Sequence, residues 1–112
     1  MQAVNILGSE WTITFRGEDD DPKLMDRDGY CDESVREIVV ESFEKEMHDA
    51  QACADMRKIQ RNTIRHELVH AFLFESGLGA CSEWAQNEEM VDWIARQFSK
   101  LAKAFADAGA VE

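Results

Sequence analysis

The segment Arg65-His66-Glu67-Leu68-Val69-His70 concentrates the reactive side chains of this chain. Two histidines four residues apart project from one face of a helix, about 6 Å apart along its axis, a spacing that lets both imidazoles bind one cation. Glu67 stands about 100° around the axis from His66, too far for a comfortable third ligand. It can reach a water beside the same ion, where a general base is needed. Buried without an ion, these groups would be short of partners at roughly 1–3 kcal/mol each. A third ligand has to come from elsewhere, and Trp84–Asp92 contains two adjacent carboxylates. With Glu88 set at 0°, the apolar stripe of that helix covers about 200° to 340°, so Glu88 lies at its inner edge and Glu89 lies 100° further toward the polar side. Glu88 is therefore expected as the ligand and Glu89 as a solvated neighbour. Asp92, one turn on at about 40°, is placed to accept the free ring N–H of a ligand histidine and fix its tautomer. Two imidazoles and a carboxylate in a tetrahedral set favour Zn2+.

The elements that must carry these residues follow from periodicity. From about Asp49 to Ser76 there is neither proline nor glycine, which predicts a helix ended by Gly77 and Gly79. Ile64, Leu68, Val69, Phe72 and Leu73 surround its axis almost completely, so the second part of this helix should be buried. A second helix is predicted from a cap at Ser82 to about Asp107, with Trp84, Val91, Ala95, Phe98, Ala102 and Phe105 as its apolar stripe. The first half reads as strand: Trp11–Phe15 alternates with period two, Tyr30-Cys31 is a possible short strand, and Arg36–Glu41 is a clear one. Acidic Glu18–Asp21 with Pro22, and then Asp28-Gly29, read as turns. The expected fold is α+β: one domain over residues 1–112, with a small antiparallel sheet from the N-terminal half packed on two helices, the first bearing the His-Glu-His pattern.

Length and charge limit the alternatives. The chain has 112 residues, 12 Lys and Arg against 23 Asp and Glu, and a formal net charge of −11. Such acidity disfavours a nucleic-acid backbone as partner. No apolar run approaches the roughly 20 residues of a membrane span, and the N-terminus lacks a charged-then-apolar leader pattern, so a cytoplasmic protein without a membrane partner is expected. Three widely spaced cysteines do not make a disulfide framework or a Cys-type metal pair. Asp26–Glu37 has the length of a calcium loop but places Cys31 where the obligatory glycine belongs. Trp93 falls off the apolar stripe and marks a candidate partner surface.

His66-Glu67-Leu68-Val69-His70 followed by Asn87-Glu88-Glu89-Met90-Val91-Asp92 resembles the thermolysin-type zincins, or gluzincins, whose hallmark is HExxH on one helix and Asn-Glu-x-x-x-Asp on the next. The brevity of the chain is similar to minimal zincin domains encoded by phages and prophages. The resemblance implies His66, His70 and Glu88 as zinc ligands, Glu67 as general base and Asp92 as the residue orienting a ligand histidine. It further implies a metallopeptidase acting on a peptide or protein substrate. Larger relatives add a His or Tyr to stabilise the developing oxyanion, but this chain has neither after His70; Tyr30 and His48 are the remaining candidates. Losing such a donor costs roughly 100–1,000-fold in rate. The expected alternative is thus a zincin-like binding module with structural zinc. Ile38–Val40 is the expected sheet edge for docking an extended substrate.

Overall fold

The computed structural model describes residues 1–44 and 54–112. The chain forms β1 (Gln2–Ile6), β2 (Ser9–Arg16), β3 (Gly29–Asp32) and β4 (Glu37–Glu41), then α1 (Met56–Glu75), α2 (Leu78–Cys81) and α3 (Glu88–Asp107). The fold is α+β, as the pattern predicts. Strand β1 escapes the sequence reading, although Gln2–Ile6 alternates and its turn is well marked. Leu7 (φ 52°) and Gly8 (φ 92°) both take positive φ, the conformation a two-residue hairpin of type I′ requires. A non-glycine residue in the first of these positions hides that signal.

The sheet order is β1-β2-β4-β3. It is mixed rather than wholly antiparallel, because β4 returns between β2 and β3 and pairs parallel to β2. Ile38–Val40 consequently lies inside the sheet with a strand on each side, and the docking-edge expectation for it fails. Period-two periodicity identifies a strand but carries no information on its neighbours. The edges are β1 and β3. Asp28-Gly29 is likewise not a simple turn: Gly29 opens β3 and pairs with Val40.

Helix α1 lies between the sheet and α3. On one side Ile6, Trp11, Ile13, Ile38, Val40 and Ala71 form a core joined by Ile64, Leu68 and Phe74. On the other, Leu73 packs with Ala85 and Val91, flanked by Val69 and Met90. Two covered faces explain the near-continuous apolar character of α1, but the helix is not enclosed all round: Phe72 is 45% exposed. Asp55 caps α1 by accepting from the Lys58 N–H (3.0 Å), and Gly77 follows its end with φ 85°. The expected helical residues from Asp49 to Cys53 lie outside the described residues, as does His48.

Helix α3 starts at Glu88 and not near Ser82, because the Asn87 side chain takes the Met90 N–H (2.8 Å) and Ser82 instead closes α2. Only the first half of its apolar stripe is covered: Val91 and Ala95 are buried, whereas Phe98 and Phe105 are more than half exposed. Trp84 and Trp93 are also exposed. Among the described residues, no helix is long and apolar enough to cross a membrane.

Candidate metal centre

The α1–α3 contact sets the geometry of the centre. Arg65 donates from Nε to the Ala95 carbonyl at 2.7 Å and ties the two helices side by side. Immediately after it, His66 and His70 face the first turn of α3 with ring centroids 4.9 Å apart. Glu88 reaches both rings: Oε2 lies 2.9 Å from His66 Nε2, and Oε1 lies 2.9 Å from His70 Nε2. Capping by Asn87 fixes where α3 begins, and with it the direction of this carboxylate. The structure thus brings together the three residues that the spacing singles out, with Glu88 rather than Glu89 reaching the two rings.

These residues fit a small divalent ion. Each ring Nε2 stands at hydrogen-bond distance, 2.9 Å, from a different oxygen of Glu88, and tetrahedral bonds of about 2.0–2.1 Å would need these ligand atoms to open to roughly 3.3 Å. His66, Glu67 and His70 also present atoms within 4.8 Å of one another. Burial lowers the pKa of His70 despite the opposing pull of Glu88, which favours the neutral ring form that ligates metals. His70 stacks on Phe74, which holds its ring plane. Asp92 Oδ1 stands 3.5 Å from His66 Nδ1, while its other oxygen accepts from Arg96 Nε at 2.6 Å. Asp92 therefore lies beside the ring nitrogen predicted for it and is held there by a cation.

Glu67 sits differently from the ligand candidates. It turns toward β3 and is only 6% exposed. Burial raises its pKa and Glu88 adds to the rise, against the pull of His66, the Cys31 thiol and Arg27. Strand β3 comes this close because Gly29 has no side chain. A Cβ there would meet Thr63 Cγ2 at 2.9 Å, the Val39 carbonyl oxygen at 3.0 Å and Glu67 Cγ at 3.4 Å. One residue pair further on, Cys31 donates from Sγ to the Glu67 carbonyl at 3.1 Å.

Tyr30 is turned away from this chemistry. Its neighbours Gly29 and Cys31 face α1, so strand alternation sends the Tyr30 side chain to the opposite face. There its hydroxyl donates to Asp21, which also pairs with Arg16 at 3.2 Å. Burial and Asp21 together push the phenol pKa up to about 12. The oxyanion role expected of Tyr30 is not supported by this geometry, because the group is committed to the network that fastens the segment before β3 onto the sheet.

An open cleft of about 1070 Å³ runs over α1 between β3 and α3. Among its residues, Gly29, Arg65 and Arg27 are ones to which the sequence reading assigns no role in the site. The signal for Gly29 was present, since a glycine opening a short strand often marks close approach of another backbone or side chain. Arg27 and Arg65 carry no local pattern that distinguishes them from solvated cations. Comparison with protein-family models, with curated proteins and with solved structures gives no match.

Proposed function

We propose that this chain is a zinc-dependent peptidase. The observation that carries the reading is the convergence of His66 Nε2 and His70 Nε2 on the two oxygens of Glu88, with the buried Glu67 carboxylate alongside. His66, His70 and Glu88 would hold the ion, and Asp92 would orient His66. When bound, zinc polarises a peptide carbonyl and lowers the pKa of a water toward about 7. Glu67 takes the proton of the attacking water and delivers it to the departing amine, a task favoured by a carboxylate whose pKa burial has moved upward.

The open edge of β3 offers a way to hold the substrate. The Glu41 N–H donates to the Asp28 carbonyl at 2.8 Å. By the alternation of an antiparallel ladder, Tyr30 and Asp32 then exchange bonds with β4, and the backbone groups of Gly29 and Cys31 point outward. An extended peptide added at that edge lies along the cleft beside Glu67.

The engagement of Tyr30 by Asp21 favours a second reading, in which zinc is structural and the domain binds a protein without cleaving it. One experiment separates the two. Metal content and hydrolysis of a mixed peptide library are measured for the wild type and Glu67→Gln. The peptidase reading requires zinc in both and hydrolysis by the wild type that falls at least 100-fold in the variant. Equal hydrolysis by both, or none by zinc-loaded wild type, refutes it.

A further inference from the structure

Four cations line the cleft, and they are not equivalent. Arg65 is committed to the Ala95 carbonyl and the Asn62 side chain, and Arg96 to Asp92. Arg27 and Lys58 also line the cleft, yet among the described residues their side chains form no hydrogen bond or ion pair. Arg27 lies two residues before Gly29. Arg27 precedes β3 and lines the cleft together with Gly29 and Cys31. Its charge is felt by Glu67. Lys58, in the first turn of α1, lines the same cleft.

From this placement we infer that the Arg27 end of the cleft is a carboxylate subsite, which selects peptides carrying an acidic group beside the bond presented to Glu67. The inference rests on the peptidase reading for its register but not for its binding chemistry. A guanidinium offers a carboxylate two parallel N–H donors, and such bonds are stronger than neutral ones. The surrounding molecule works against acidic ligands at long range, since its net charge is −11. At physiological salt that repulsion is screened beyond about 8 Å. Inside the cleft Asp28, Asp55, Glu67, Glu88 and Asp92 still oppose an acidic group, so its acceptance depends on a direct pairing with a cation that has no other partner. An uncommitted arginine facing the cleft of so acidic a chain is what such a pairing needs.

The test uses three short peptides, each N-acetylated. One has a single internal Asp and an amidated C-terminus, the second has Asn in place of the Asp, and the third is the Asn peptide with a free C-terminal carboxylate. Affinities are measured by calorimetry on zinc-loaded protein in a Glu67→Gln background, and turnover on protein with Glu67 intact. The Asp peptide should bind roughly tenfold more tightly than the Asn peptide. Arg27→Ala should abolish that preference, whereas Arg57→Ala, which removes the same charge from an exposed position outside the cleft, should keep it. Preference for the free-acid peptide over its amide, lost in Arg27→Ala, would assign the subsite to a terminal carboxylate instead of a side chain. Equal affinity for all three peptides, absence of binding, or a preference that survives Arg27→Ala overturns the proposal. Arg27-dependent acid preference without turnover would sustain the subsite and sink the peptidase reading. Turnover indifferent to the acidic group would do the reverse.

Discussion

Replacing Gly29 by alanine tests the contact that brings β3 against the catalytic candidate. The added methyl would lie 2.9 Å from Thr63 Cγ2, 3.0 Å from the Val39 carbonyl oxygen and 3.4 Å from Glu67 Cγ. Carbon atoms pack best at about 3.5–4.0 Å, so two of these contacts are too short. Neither neighbour yields easily. Val39 O is backbone within the sheet, and Thr63 is held by its own hydroxyl, which donates to the Ile59 carbonyl at 3.1 Å. Overpacking of this kind costs about 1–3 kcal/mol. Taking about 2 kcal/mol, and an unfolding entropy of about 2.1 cal/mol/K per residue over 112 residues, the melting midpoint should fall by roughly 8 °C. Thr63→Ser deletes the nearest atom and keeps the hydroxyl. Combined with Gly29→Ala, it should recover about 1 kcal/mol relative to the sum of the single effects, a coupling that a double-mutant cycle by urea denaturation resolves. Zinc content should stay unchanged while turnover drops, because a strand pushed away from Thr63 also moves from Glu67, which the new methyl would touch, and from no ligand candidate. A Gly29→Ala protein within about 0.5 kcal/mol of wild type, or one with no coupling to Thr63, refutes the close-approach reasoning.

Two further outcomes follow from other parts of the structure. Asp92→Asn should weaken zinc affinity roughly 10–100-fold in competition with a chromophoric chelator, because His66 loses a negatively charged neighbour at its second ring nitrogen; unchanged affinity would remove Asp92 from the centre. The Tyr30 phenol should titrate near 12, and as it is the only tyrosine in the chain its ultraviolet absorbance reports it directly. A folded pKa raised above the usual 10 means that this stabilisation is fully present below pH 10 and is lost as the pH climbs through about 12. Asp21→Asn should bring the titration back toward 10; a phenol already titrating at 10 in the wild type would contradict the Tyr30–Asp21 contact.

What the sequence determined is the local chemistry. Residues 66, 67 and 70 lie within one helical turn or so, and their relative directions follow from 3.6 residues per turn whatever surrounds them. The same rule on α3 sets Glu88 apart from Glu89 and places Asp92 one turn later, and in the structure Glu88 and Asp92 both stand beside the imidazoles of α1. The alternating strands and the glycine stop after α1 were legible for the same reason. Tertiary structure decided what is near in space but distant along the chain. It put β4 between β2 and β3, which moved the open edge from Ile38–Val40 to β3. It committed the Tyr30 hydroxyl to Asp21 and brought Arg27 to the cleft. The choice of Asn87 over Ser82 as the cap of α3 belongs here too, because both residues have the chemistry, and in the structure Ser82 ends α2 while Ala85 and Val91 pack with Leu73 of α1. Periodicity states which face of an element is apolar. It is silent on which element covers that face, since pairing depends on the summed burial of surfaces contributed from the whole chain.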